Sequence, residues 1–426
     1  MNRRVVITGM GAMTPLGNSV QETWRGLLEG RSGIGPITVF DASNFPTKIA
    51  GEVRNGDFQK WEKKGPAFDR LGRNSLFALE AAQEAARDAG LDGKIKPERL
   101  GIYFGAGDGG FDFPQYALIM ADAIEENQPV DAKKYYSNSL KQLDPKSLME
   151  QEPFQVINHL SSVFGVLGPV SNCLTACAAS SQAIGEAAEI IRRGEADVMI
   201  SGGSHSMIHP LGLAGFNLLT ALSTRNEEPQ KASRPFDKNR DGFVLSEGAG
   251  VVILEELEHA KKRGAKIYAE LAGYGGSADA FRLTDPHPDG RGAIKAMKLA
   301  LNHAGLDASS IDYINAHGTS TELNDAIETH SVKQVFGPRA KKVPMSSIKS
   351  MLGHMIAAAG AVEVIASILT IREGMIPATI NYETPDEACD MDYVPNKARQ
   401  AKVNTVLSNS FGFGGQNIAL IIKKYG

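Results

Sequence analysis

Cysteine is nearly missing from this sequence: three residues in a chain of 426. So sparse and odd a set argues against a disulfide framework and for a reducing compartment. Long apolar runs are missing as well. No segment reaches the ~18 uncharged apolar residues of a membrane span, and the nearest, MIAAAGAVEVIASILT, is interrupted by Glu363. Neither sign of charge dominates, and a net charge of −4 offers no general attraction to nucleic acid or to an anionic membrane. Cys173 and Cys177 form a C-x3-C pattern with no matching second pair, so no metal site is expected. Repeats of short period and low-complexity tracts are also lacking. Arg3 and Arg4 precede an apolar stretch, but it is too short for a signal peptide and has no small-residue cleavage site before Pro15. A first β-strand is the better reading, and a cytoplasmic protein is expected.

What is present reads as an enzyme. Charged residues at 22% and hydrophobic residues at 42% are ordinary for a soluble globular chain, and the length supports a large core. Short β-branched runs (RVVITGM, RLGIYFGAG, ADVMISGGS) alternate with Ala/Leu-periodic runs (NSLFALEAAQEAARDAG, SSQAIGEAAEIIRRG). The alternation resumes in AKIYAELAGYG, AIKAMKLALNHAG, IDYINAHGTST, AVEVIASILTIREG and TVLSNSFGFGGQNIALIIKK. Such a pattern predicts an α/β protein with helices packed on largely buried sheets. The two stretches are alike in element order. Residues 1–258 are read as one half and 259–426 as the other, with a polar, Lys/Asp-rich surface excursion at about 111–151.

Cys177 lies in SNCLTACAASSQAIGEA, where helical spacing begins just after it. At a helix start, unpaired amides and the dipole favour a thiolate, which would lower the thiol pKa and make a nucleophile. The alternative is a small inert hydrophobe, and that reading is adopted for Cys173, in the preceding strand, and for Cys389. A thiolate wants a partner, which directs attention to the nine histidines. His159, His259, His303 and His330 have no special context. His317 ends a strand and opens HGTST; His354 lies between a Gly and a helix of small residues. One Cys and two His in small-residue junctions suit thioester chemistry, with both imidazoles donating to a carbonyl that becomes an enolate. SNSFGFGGQN places glycines around Phe413, which reads as an oxyanion or gating loop, or else as a plain turn. Two motifs are set aside. Gly105 to Gly110 matches a dinucleotide fingerprint but leads into aromatic residues and Pro114. GGSHS around Ser204 lacks the closing glycine of a hydrolase elbow.

Together these motifs resemble the β-ketoacyl-acyl-carrier-protein synthases of the elongating type II class, in the thiolase-like superfamily. The likeness runs nearly end to end through VVITGMGAMTPLG, TACAAS, ALSTRNEEPQKASRPFDKNRDGFVLSEGAG, NAHGTST, SSIKSMLGHMIAAAGAVE and SNSFGFGGQN. A thiolase would carry a second Cys where Phe413 stands. Initiating condensing enzymes pair Cys and His with Asn rather than with a second His. The resemblance implies a five-layered α-β-α-β-α core built from two similar halves and assembled as a homodimer. It implies that Cys177 takes an acyl chain from the phosphopantetheine of an acyl carrier protein. His317 and His354 would support decarboxylation of a malonyl-carrier thioester. Lys349 and Glu363 would orient that site, and the amides of Cys177 and Phe413 would form the oxyanion hole. The Phe413 ring would gate, and Thr319 and Thr321 would contact the pantetheine. No cofactor is implied, because the phosphopantetheine arrives with the carrier.

Three departures bear on the pathway. Asp108 replaces an apolar residue expected to line the acyl tunnel, and a carboxylate facing a long alkyl chain is costly unless paired. The 111–151 excursion is longer than in the housekeeping enzyme. The basic segment EKKGPAFDRLGR keeps Lys63, Lys64, Arg70 and Arg73 but contains Pro66 and Ala67, so its lysines are either a carrier-docking patch or a solvated face. These departures fit a specialised polyketide or lipid pathway at least as well as bulk fatty-acid synthesis. The alternative is a weakly active, pocket-shaping subunit of a heteromeric ketosynthase.

Overall fold

The structure, a computed structural model, describes residues 3–65, 68, 70–91, 95–107 and 113–426. Asp108, singled out above, lies outside the described residues, as do Pro66 and Ala67. The first five sheet strands are β1 (Val5–Met13), β2 (Leu100–Ala106), β3 (Val170–Cys173), β4 (Val198–His205) and β5 (Gly248–Glu256). They stand side by side in the order β1-β5-β4-β2-β3. The next five are β6 (Ala269–Ala278), β7 (Tyr313–Asn315), β8 (Met345–Ser346), β9 (Thr405–Gly412) and β10 (Gln416–Lys423), in the order β6-β10-β9-β7-β8. The second order repeats the first. In each set the first two neighbouring pairs are antiparallel and the last two parallel. The sets join where β1 meets β6, through Val6↔Glu270 and Ile7↔Ala269.

Helices cover both faces of each set. On one outer face lies α1 (Arg73–Ala89), whose C-terminus is closed by Gly90 in the left-handed region. An excursion then forms α2 (Phe113–Asp122), α3 (Ala132–Gln142) and α4 (Pro145–Glu150), and α5 (Gln155–Phe164) returns to pack on α1. Between the two sets sit α6 (Ala179–Arg192) and, later in the chain, α11 (Ala359–Glu373). Between them in sequence come α7 (Pro210–Leu218), α8 (Arg291–Ala304), α9 (Glu322–Phe336) and the short α10 (Lys349–Leu352). α8, flanked by α9, covers β6 and β10 on the second outer face. The result is the five-layered α-β-α-β-α arrangement.

The sequence dictates these layers. Every residue of β5 is buried, as a near-continuous apolar strand covered on both faces should be. In α11 every residue from Ala359 to Ile371 is buried, which requires a place in the middle layer. Close approach of helix to strand needs glycine. A Cβ at Gly9 or Gly11 would stand 2.2 or 1.9 Å from the carbonyl oxygens of Ala85 or Ala81, and one at Gly273 or Gly275 2.3 or 2.2 Å from those of Ala300 or Ala296. The glycines of GMGAM therefore serve packing.

The excursion is fastened by a buried carboxylate. Glu150 accepts from Ser75 Oγ and from the Gly72 amide, and its other oxygen meets His159 Nε2 at 2.7 Å. Its surface differs from the polar one expected from the sequence: Leu118 on α2, Ile124 just after it, and Tyr136 and Leu140 on α3 stand exposed. Hydrophobic residues here follow helical spacing but find no core to cover. Among the described residues no helix is long and apolar enough to cross a membrane.

Candidate active site

Cys177 lies on a 3₁₀ turn, Ala176–Ala178, between β3 and α6. Ala176 has φ +47°, a strained value for a residue with a Cβ, and this bend turns the next side chain off the strand and into the centre of the molecule. Cys177 is buried, with 4% of the residue exposed, and it belongs to an apolar cluster that includes Ile208, Phe243, Leu245, Ile356 and the Phe413 ring. The backbone amides of Cys177 and Phe413 lie near enough to it to favour its anion. They reach it because β9 comes very close: a Cβ at Gly412 would lie 2.9 Å from Thr175 O and 3.3 Å from the Cys177 amide nitrogen.

His317 follows β7. Its amide and that of Gly318 donate to the two oxygens of Glu328 on α9, at 2.9 and 2.8 Å. Lys349 Nζ donates to the His317 carbonyl at 2.6 Å, reaches His317 Nδ1 at 3.4 Å and pairs with Glu363. A cation beside Nδ1 places the ring proton on Nε2, leaving a donor for a guest. His354 is delivered by the segment after α10, its amide donating to Val244 O at 2.7 Å. Its ring lies edge-on to Phe243 (5.3 Å) and to His317 (5.4 Å), and neither ring nitrogen has a hydrogen-bond partner. Buried polar nitrogens left unpaired are costly, so such a ring is built to receive a ligand atom. The donor atoms of Cys177, His317 and His354 all lie within 4.8 Å of one another, close enough to share one small guest such as a carbonyl oxygen or a metal ion.

The electrostatics correct one expectation. Burial pushes the Cys177 thiol up to about 11, although Lys349 and the two amides pull it down. The few amides at the helix start do not outweigh the loss of water around the sulfur, so the resting group is a thiol. Burial also drives both imidazoles well below the ordinary histidine range, with Lys349 acting in the same direction on each, and they are neutral at pH 7.

Above the sulfur opens a cavity of about 380 Å³ lined by Cys177, His317, His354, Phe413, Thr319 and Thr321 among others. The hydroxyls of Thr319 and Thr321 are 2.8 Å apart. Thus Cys177, both histidines, Phe413 and both threonines meet at one cavity, while Lys349 and Glu363 stand behind His317. Cys173 donates to Ala179 O at 3.3 Å, with its thiol pushed up to about 12 by burial, and Cys389 is fully buried in an apolar cluster. Gly105 packs against Ala179 and Ser180, where a Cβ would stand 2.5 Å from the backbone.

Sequence reasoning missed the acidic floor. Glu328, raised to about 7 by burial, also accepts from Asn409 Nδ2 at 3.1 Å. Asp325, one turn earlier on α9, accepts from the amides of Thr319 and Phe236. Arg240 lines the cavity and donates to the carbonyls of Thr321 and Glu322. The available signal was two carboxylates three residues apart on the helix after HGTST, facing inward.

Comparison with known proteins agrees with this geometry. The family model "Beta-ketoacyl synthase, N-terminal domain" matches residues 2–260, and "Beta-ketoacyl synthase, C-terminal domain" matches residues 268–383. The chain is 46% identical over 432 residues to a 3-oxoacyl-[acyl-carrier-protein] synthase 2 of Coxiella burnetii, covering 99% of each. A beta-ketoacyl synthase of Burkholderia phymatum superposes with a TM-score of 0.89 at 35% identity, covering 100% of both chains. The structure of a type II PKS acyl-carrier protein in complex with its ketosynthase, bound to the hexaketide, provides a chain with a TM-score of 0.87 at 34% identity, again covering 100% of both.

Proposed function

The chain belongs to the beta-ketoacyl synthase family and is an acyltransferase, and from that premise we propose that it joins acyl and malonyl units delivered by an acyl carrier protein, with Cys177, His317 and His354 as its catalytic residues. The observation that carries this reading is the convergence of one thiol and two neutral imidazoles within 4.8 Å at the bottom of an open cavity.

In the first half-reaction the Cys177 sulfur attacks the thioester carbonyl of the acyl carrier. The oxyanion forms against the amides of Cys177 and Phe413, and the carrier thiol departs with the proton that Cys177 gives up. A thiol held near 11 makes no standing charge, so deprotonation accompanies the arrival of the thioester. In the second half-reaction the carbonyl oxygen of a malonyl thioester accepts from the two imidazoles. Its carbon–carboxylate bond breaks, carbon dioxide leaves, and the electron pair becomes an enolate held by the two donors. The enolate carbon attacks the acyl carbonyl on Cys177; a carbon–carbon bond forms, the sulfur–acyl bond breaks, and the departing thiolate takes up a proton from water. Neutral donors suit a developing enolate, since they bind its charge without a proton having to be lost first.

Lys349 and Glu363 hold the tautomer and position of His317. Thr319 and Thr321 meet the pantetheine arm, which arrives with the carrier, so this donor set asks for no cofactor. The half-buried Phe413 ring, between Gly412 and Gly414, separates the acyl and malonyl steps. We read the assembly as a homodimer in which the exposed edge strand β3 and the apolar face of α2 and α3 meet a second copy. A specialised polyketide or lipid product is favoured by Asp108 and by the long excursion.

Intact-protein mass spectrometry after incubation with acyl-loaded carrier tests the assignment. An acyl adduct is expected on Cys177 and absent in Cys177→Ala; an adduct on Cys173 would overturn it. Cys177→Gln is expected to keep releasing carbon dioxide from malonyl carrier. A primer panel read by product mass tests the pathway, and equal use of all saturated primers would return the enzyme to bulk fatty-acid synthesis. The pocket-shaping alternative is favoured by the apolar excursion, and it would prevail if the purified chain condensed only after a second, different subunit was added.

A further inference from the structure

The stretch GGSHS, set aside above as a hydrolase elbow, supplies a side chain that neither the fold nor the proposed chemistry employs. His205 closes β4 and is 1% exposed, and among the described residues neither of its ring nitrogens has a hydrogen-bond partner. Burial pushes its pKa down to about 3, so the ring is neutral and offers one N–H donor and one bare acceptor. His209, one turn further on, is different: its Nδ1 accepts the Gly212 amide at 3.2 Å and caps α7. Leaving both polar atoms of a buried ring unmet is costly, and a structural histidine is paired, as His159 is with Glu150.

The strand places this ring beside the acyl group. Side chains alternate along β4, so His205 shares a face with Gly203, where a Cβ would stand 2.5 Å from the Ala357 carbonyl oxygen and 2.7 Å from the Ser180 side chain. That is the face on which the turns Ala176–Ala178 and Ile356–Ala358 lie. The pairing of Ala106 with Ser204 leads on to Gly107 and His205, and a Cβ at Gly107 would stand 2.1 Å from His205 Nδ1. Glycine there lets the imidazole lie against the neighbouring backbone. Ile208, three residues later, belongs to the apolar cluster that holds Cys177 and Ile356 and packs against the Phe413 ring. His354 is near enough for His205 to disfavour its protonation. The open cavity must admit a malonyl arm while Cys177 is acylated, so the acyl chain runs behind the Phe413 ring, into this cluster. Asp108, the other departure from an apolar lining, follows Gly107 in sequence.

We propose that His205 forms a polar subsite in an otherwise apolar acyl compartment, and that the acyl group on Cys177 carries a carbonyl or hydroxyl oxygen, a few bonds from its thioester, that hydrogen-bonds to this imidazole. The inference rests on the function proposed above and narrows its substrate class to an oxygenated, incompletely reduced chain. A saturated chain would strip water from the compartment and leave both ring nitrogens unmet. A carbonyl oxygen accepts from the ring N–H, and a hydroxyl either accepts there or donates to the bare nitrogen.

The test loads Cys177 from small pantetheine thioesters of one chain length, saturated, hydroxylated and oxo-substituted, and follows adduct formation by intact-protein mass spectrometry. The wild-type protein is expected to favour an oxygenated chain over the saturated one by about 10- to 100-fold, the typical cost of leaving a buried polar group unpaired. Whichever oxygenated chain leads distinguishes the hydroxyl from the carbonyl. His205→Leu is expected to bring the ratio to within about threefold of one, with the saturated chain gaining. His205→Asn, which keeps a donor and an acceptor, should retain part of the preference. A residue that serves structure alone would move all three rates together. A wild-type protein that treats the three chains alike or prefers the saturated one overturns the subsite, as does a His205→Leu variant that slows every donor by the same factor. The wild-type comparison needs no variant, so poor folding of His205→Leu does not shelter the proposal from it. Failure of the wild-type protein to acylate Cys177 from any of the three donors would instead sink the proposed function.

Discussion

Cys177 and Ala357 occupy corresponding places in the two halves. Each is the second residue of a 3₁₀ turn whose first residue has a positive φ, Ala176 at 47° and Ile356 at 41°. Each turn runs into a middle-layer helix that begins at almost the same dihedrals, −57°/−51° at Ala179 and −55°/−51° at Ala359. The two helix starts touch, with the Ala361 amide donating to Ser180 Oγ at 3.0 Å. What differs is the chemistry hung on the shared frame. The first half supplies sulfur and leaves Leu174 and Ala183 where the second has His354 and Glu363. The second half also inserts a longer segment before its turn, and this brings in Lys349. A duplicated scaffold thus gives two equivalent strained turns. The nucleophile sits on one and the hydrogen-bond donors on the other, and the site exists only where they meet.

The sharpest way to break this comparison is to move the sulfur. Cys177→Ala is expected to lower condensation by about 10⁴-fold or more, because the covalent intermediate is lost. Adding Ala357→Cys should restore nothing. Ala357 is 1% exposed and does not line the cavity, so an identical turn there presents its side chain to packed interior. Steady-state product formation by the two variants decides the matter, and recovered activity in the double variant would show that the frame alone makes the nucleophile.

Writing the first half's residue into the second gives the next largest effect. Glu363→Ala copies Ala183 and strands the ammonium of Lys349, both partners being about 2% exposed. Removing one member of a buried ion pair typically costs about 3–5 kcal/mol, whereas replacing both with apolar groups costs far less. Urea unfolding should therefore show Lys349→Met/Glu363→Ala more stable than Glu363→Ala alone. Both variants should lose activity: the double variant takes the cation away from His317 Nδ1, and Glu363→Ala removes the carboxylate that holds the Lys349 ammonium in place beside it.

How much of this was legible in the sequence depends on whether the signal was local. Cys177, His317, His354 and Phe413 stood out because each sits among glycines, alanines and hydroxyls at a junction between elements, and tight junctions need such residues. Helices packed on buried sheets followed from the alternation of β-branched and Ala/Leu-periodic runs, whereas the five-layer order was implied only by the family resemblance. Three things were hidden because they arise from distant packing. The direction of the Cys177 shift is a competition between dehydration and a few amides, which motif spacing cannot weigh. Glu328 acts on backbone amides eleven and ten residues away, so nothing marks it beyond its place on α9. The strand order that reveals the second turn is a property of the sheets.

The smallest expected effect concerns acid. Burial lowers the folded-state pKa of His354 well below that of an unfolded histidine near 6.5. The folded protein therefore binds fewer protons than the unfolded chain as pH falls. The stability that the neutral ring contributes is complete above about 6.5 and is lost as pH falls toward the folded value, by up to about 1.4 kcal/mol per pH unit per group. His354→Leu, which copies Leu174, removes one such group while His317 and His205, both also lowered by burial, remain. Between pH 7.5 and 5.5 the wild-type unfolding free energy should fall more steeply than that of the variant, by about 1.4 kcal/mol over the whole interval. Parallel curves would mean that the ring binds its proton equally in the folded and unfolded chain, and a wild-type curve that rose toward acid relative to the variant's would mean that the folded protein already holds the imidazolium. The second half would then present a cation to the enolate, and the contrast with the neutral first half would be one of charge rather than of hydrogen bonding.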